Sequence, residues 1–169
     1  MIMQLVTFFS LLSLAATAAV AVDIRFYAAR SCSGGSYASC TKISGARCCN
    51  LPSTPAGAIL FTGVPGGCEV AGYASQNCGA RDGILRGSGN LCYLGGSALF
   101  SGMWSKSFGR HAISQDSTDC ATPDVFVYTG TDGLEHTIQI NDSAPVELLF
   151  ELANDADWEG LATIEFTHG

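Results

Sequence analysis

The chain has 169 residues, 47 % of them hydrophobic and only 14 % charged, with twenty glycines, eight cysteines and a net charge of −7. That length fits one domain of ordinary size. Glycine, serine, alanine and threonine dominate the first half, which suits short strands and tight turns better than long helices.

The first residues, MIMQLVTFFSLLSLAATAAVAVD, form an apolar run that ends in small residues. Ala16-Thr17-Ala18 and Ala19-Val20-Ala21 both fit an A-x-A cleavage site, so residues 1–21 are expected to be a secretory signal peptide. The alternative is an N-terminal anchor, against which the small residues argue. No later segment approaches the roughly 18 apolar residues of a spanning helix. The expectation is a secreted, extracellular protein with no transmembrane segment once the leader is removed.

After the leader, DIRFYAA alternates apolar and polar residues and reads as a strand; CSGGS is a turn and YASCTKI a second strand. NLPSTPAG is a proline-marked loop. AILFTGV and CEVAGYA flank PGG and read as a hairpin. GARDGILRGSGN reads as a long glycine-rich loop, and LCYLGG and SALFSGMW as two further strands. SFGRHAISQDSTD reads as a linker. DVFVYTG and LEHTIQI, joined through Thr131-Asp132-Gly133, form a hairpin. Val146, Leu149, Phe150 and Ala153 recur with the spacing of one helix face, so a helix is expected over 145–153, capped by Ser143 or Asp142. LATIEF reads as a closing strand. The predicted fold is mainly β: a small disulfide-stapled β-sandwich with a C-terminal hairpin and one helix.

The eight cysteines, Cys32, Cys40, Cys48, Cys49, Cys68, Cys78, Cys92 and Cys120, read as four disulfides in a secreted chain. They lack the paired C-x-x-C ligands of a zinc site. The adjacent Cys48 and Cys49 are too close to bond comfortably to each other. On a strand their side chains point to opposite faces and tie it to two different neighbours. Charge divides the chain sharply. Residues 22–110 hold eight basic and three acidic residues, net +5, whereas 111–169 hold twelve acidic and no Lys or Arg, net −12. The expected organisation is a cysteine-rich basic β-domain over 22–108, a linker over 109–119 and an acidic segment over 120–169 tethered by Cys120.

IRFYAARSCSGGSY, through Tyr27, Gly34 and Tyr37, resembles the opening of a βγ-crystallin repeat over fourteen residues. Cys32 stands where that family has its second aromatic, and the paired acidic/polar calcium motif has no counterpart. More broadly, the leader, the cysteine doublet and the Gly/Ser-rich strands resemble the small cysteine-rich secreted proteins of filamentous fungi, some with killer-toxin or crystallin-like folds. Hydrophobins also have eight cysteines but need two doublets, and this chain has one. The resemblance implies an effector- or toxin-like role at an extracellular surface.

Catalytic signatures are sparse. There is no G-x-S-x-G elbow, P-loop or dinucleotide glycine fingerprint. His111 with Asp116 or Asp119 and a serine is the hydrolase alternative; the simpler reading is a solvated linker histidine. His136 beside Glu135 reads as a sheet residue. Asp155–Gly160, DADWEG, matches the start of an EF-hand loop, but Phe166 occupies the position of its closing Glu, so an acidic turn is the better reading. Asn141-Asp142-Ser143 is a glycosylation sequon, and Asn90-Leu91-Cys92 a rarer variant. The basic residues are scattered rather than clustered, which argues against nucleic acid. The functional expectation is a non-catalytic binding protein without cofactor or metal, acting on an extracellular protein, glycan or anionic surface. A structural wall or matrix protein is a further alternative.

Overall fold

The computed structural model describes residues 20–106 and 120–168. Its centre is one curled antiparallel sheet of eight strands: β1 (Val22–Tyr27), β2 (Ser36–Ile43), β3 (Cys49–Asn50), β4 (Ala56–Tyr73), β5 (Arg81–Leu99), β6 (Ser101–Ser105), β7 (Val125–Thr129) and β8 (Glu135–Gln139). The main path runs β3-β6-β4-β1-β2-β7-β8, with β5 pairing to β4. Two helices follow, α1 (Val146–Asn154) and α2 (Trp158–His168). The mainly β expectation is met.

The alternation read in DIRFYAA sets the two faces of β1. Val22, Ile24 and Phe26 enter the core, while Asp23, Arg25 and Tyr27 point the other way. Ala38 and Cys40 of β2, Ile59 and Phe61 of β4, and Phe126 and Tyr128 of β7 join the same core. On the opposite face the Tyr27 and Tyr37 rings lie 5.3 Å apart, and the Arg25 guanidinium sits 4.8 Å from the Tyr37 ring centre.

The expected hairpin at Pro65-Gly66-Gly67 is instead a bulged bend inside one 18-residue strand, β4. GARDGILRGSGN is not a loop; it forms the first half of the 19-residue β5. The reason lies in opposed glycines. Gly63 and Gly67 adopt positive φ in β4, and Gly89 does so across from them in β5, so both strands kink together and keep pairing. The bend also changes β4's neighbours. Asp23–Tyr27 of β1 pairs with β4 before it, and Ser101–Ser105 of β6 pairs with β4 after it.

The acidic segment adds to the sheet directly. β7 pairs with β2 over Ser36–Ser39, and β8 pairs with β7 as the expected hairpin. Helix α1 forms nearly where the apolar spacing placed it, but neither Ser143 nor Asp142 caps it. Asn141 Oδ1 instead accepts the backbone N–H groups of Ser143 and Ala144 at 2.9 and 3.0 Å, and Pro145 starts the helix without a side-chain cap. The expected closing strand is α2. Trp158, Leu161, Ile164 and Glu165 share one helix face, and the short run LATIEF alone could not distinguish the two periods.

Three disulfides form: Cys32–Cys92, Cys40–Cys49 and Cys48–Cys78. The doublet points two ways, with Cys49 on β3 and Cys48 just before it. Cys49 reaches β2 through the main core, while Cys48 reaches the 3-10 turn Gln76–Cys78 through a second cluster that holds Tyr73 and Met103. These bridges take six of the eight cysteines. Cys68 is buried on β4 beside the bend, and Cys120 lies against the second cluster, where Cys48 and Cys78 are already bonded to each other. Backbone pairing joins the acidic segment to the start of β3. Ala121 N–H donates to the Cys48 carbonyl, and Asn50 N–H donates to the Ala121 carbonyl, both at 2.8 Å.

Candidate binding site

The β7–β8 turn and α2 enclose an open recess of about 330 Å³, lined by Tyr128, Asp132, His136, Trp158, Glu159 and Ala162 among others. Strand alternation supplies two of its walls. Tyr128 and His136 face each other across the β7–β8 ladder and point to the same side of the sheet. Their rings stack with centres 5.1 Å apart, and Trp158, at the first position of α2, lies nearly parallel to Tyr128 at 6.2 Å. Leu161, one turn on, is fully buried and fixes α2 against the sheet.

Polar groups converge on the same place. Tyr128 Oη donates to Glu165 Oε2 at 3.0 Å. His136 Nδ1 lies 3.1 Å from that same oxygen, and Nε2 lies 3.1 Å from Asp132 Oδ2. Asp132 Oδ1 also accepts the Leu134 N–H at 3.0 Å. That backbone bond, followed by the contact with His136, holds the Asp132 carboxyl below the usual range. The hydrogen bond to Asp132 raises His136 above the usual histidine value. Burial, reinforced by the bond to Glu165, pushes the Tyr128 hydroxyl up to about 12. The imidazole thus lies between two carboxylates, one on each ring nitrogen. The recess presents aromatic surface and carboxylates to a ligand.

A second recess of about 360 Å³ lies along α1 beside Glu147, Glu151, Asn154 and Asp155. One of its carboxylates is already engaged, since the Ser53 hydroxyl donates to Glu147 Oε1. Its one large aromatic, Phe150, is 1 % exposed and belongs to the core. It offers a ligand less than the first recess does.

His111, Asp116 and Asp119, the residues of the hydrolase alternative, lie outside the described residues. His136 is a strand residue, as read, but its partners are Asp132 and Glu165 rather than its neighbour Glu135. Asp132 stood within reach of sequence reasoning, four residues before His136 across a turn. Glu165 did not, because it arrives from a helix read as a strand. DADWEG spans the turn after α1 and the first residues of α2, and Asp157 Oδ1 accepts the Gly160 N–H at 2.9 Å. No cluster of three metal-binding side chains occurs among the described residues. Asn141 is exposed and holds the turn before α1. Asn90 Oδ1 receives the Gly63 N–H at the β4 bend, and Cys92 is bonded to Cys32. Among the described residues no helix is long and apolar enough to cross a membrane.

A family model, ARB_05566_N, described as an N-terminal domain, matches residues 23–124. No curated protein matches the chain, and no solved structure does. The recess falls beyond the matched residues.

Proposed function

The chain belongs to the ARB_05566_N family through residues 23–124, and from that premise we propose that it is a secreted, non-catalytic binding protein whose family domain is a disulfide-stapled scaffold for a recognition site on the segment after it. The leader-like first residues and three disulfides support an extracellular, oxidising setting. The observation that carries the binding reading is the recess between the β7–β8 turn and α2. Aromatic walls and carboxylates meet there around His136. A site of this kind holds a partner by surface and charge and transforms nothing. An effector- or toxin-like role on an extracellular protein or glycan follows from the setting.

The test immobilises the protein, from Val22 onward, and exposes it to cell-wall glycans and extracellular extracts. A specific species should be retained, and Trp158→Ala should reduce retention by about tenfold or more, as loss of a central aromatic contact does. Retention indifferent to Trp158, or turnover of an offered glycan or ester, would overturn the reading.

A further inference from the structure

Ionised carboxylates only accept hydrogen bonds, so the His136–Glu165 and His136–Asp132 contacts are both satisfied only when each ring nitrogen carries a proton. Neutral imidazole carries one proton and must leave one contact unmade. Glu165 is the more enclosed carboxylate, with its side chain 32 % exposed against 48 % for Asp132, and it also holds Tyr128. Water replaces a lost partner more readily at Asp132. Deprotonation at Nε2 therefore keeps the Glu165 bond and leaves Asp132, at the mouth of the recess, without its cation.

We infer that the recess takes a guanidinium group, the arginine side chain of a basic peptide, which replaces the imidazolium on Asp132 and lies against Trp158. This rests on the binding reading above and names its ligand. A guanidinium is planar, stays charged at any relevant pH, stacks on aromatic rings and pairs with carboxylates through two N–H groups. The recess presents those complements together: Trp158, Asp132 and Glu159. The surrounding field has the matching sign, since the chain has no Lys or Arg after Arg110.

The charged groups facing His136 are Asp132 from the turn and Glu165 from α2. From β7 it meets the Tyr128 ring and, through Glu165, the Tyr128 hydroxyl. Glu135, its neighbour on β8, points to the opposite sheet face. The raised affinity of His136 for its proton agrees with this geometry. Proton and guanidinium compete for Asp132, so peptide binding strengthens as pH rises through the histidine range, and bound peptide lowers the His136 titration midpoint by the same coupling.

The probe is a blocked tri-arginine peptide, with its neutral citrulline counterpart as control, measured by calorimetry at low salt. Between about pH 5.5 and about pH 8.5 the affinity should rise by about tenfold, the coupling of one pKa unit. The citrulline peptide should not bind. Trp158→Ala and Asp132→Asn should each weaken binding by about tenfold, with circular dichroism confirming that both fold. His136→Gln should flatten the pH dependence, and the His136 NMR midpoint should fall in the presence of peptide. Equal binding of the citrulline peptide, a pH-independent affinity, or an Asp132→Asn variant that binds as before would overturn the inference. So would no binding at either pH. If a retained extracellular species still depended on Trp158, the broader binding reading would survive that result.

Discussion

At Gly57 a Cβ atom would stand 2.8 Å from the carbonyl oxygen of Ala28 and from the carbonyl carbon and oxygen of Ala29. These are backbone atoms just past β1, where Tyr27 pairs with Ala58, so no rotamer change relieves the clash. Gly57→Ala is expected to cost about 1–3 kcal/mol, the range for overpacking. Gly66, in the β4 bend, has nothing within 4 Å of its Cβ position, and Gly66→Ala should stay within about 0.5 kcal/mol of the parent. Urea unfolding of the two variants checks both values. His136 sets a pH dependence at the same scale. Its folded pKa is raised chiefly by Asp132, so its contribution to stability is fully present below its ordinary value near 6.5 and is lost as pH rises through the folded value. The urea midpoint should therefore fall as pH rises above about 6.5, and His136→Gln should remove that component.

Among the elements, α1 shows how a helix with no side-chain cap at its N-terminus is held. Its apolar face is the anchor. Val146, Leu149 and Phe150 are buried, and the Phe150 ring meets Phe126 of β7 edge-on at 5.3 Å. Phe150→Ala should cost about 3–5 kcal/mol, measured by chemical denaturation, because the cavity would open between helix and sheet. β5 is held differently, by polar braces between its own ends as well as by its ladder with β4. Asp82 accepts the Tyr93 hydroxyl at 2.8 Å, the Ser97 hydroxyl at 2.7 Å and the Gly96 N–H at 3.0 Å, which ties the two ends of β5 together. Those bonds, the one from Ser97 foremost, hold Asp82 below the usual carboxylate range.

At the scale of the whole molecule the division of charge does not divide the core. β7 and β8 contribute Phe126, Tyr128 and Ile138, and the helices contribute Leu149, Phe150 and Leu161, to the same cluster as Ile24 and Phe61. A chain ending at Lys106 would leave the β2 edge and that core open. It is expected to lose the fixed aromatic environment seen by near-ultraviolet circular dichroism and to bind a hydrophobic dye. A truncated chain with native-like aromatic signals would show that β1–β6 suffice. The disulfides give a second test: at two hydrogens per bridge, the three bridges shown require the unreduced chain to weigh at least six hydrogens less than the reduced one.

What the sequence determined by itself was local. Alternation in DIRFYAA placed β1 and chose its inward face, Thr131-Asp132-Gly133 placed the β7–β8 turn, and the spacing of Val146, Leu149 and Phe150 placed α1. Each is written within a few residues by a side-chain period or a turn residue. The doublet Cys48-Cys49 announced a two-way staple for the same reason. Tertiary structure alone decided the rest, because it rests on groups far apart in the chain. Whether Pro65-Gly66-Gly67 turns back or merely bends depends on Gly89 lying opposite, a register that β4 does not encode on its own. Which cysteines bond depends on which sulfurs the sheet brings together. The recess was least legible of all. Its histidine lies on β8, its second carboxylate on α2 and its stacked tyrosine on β7, and they meet only because three elements pack on one sheet face.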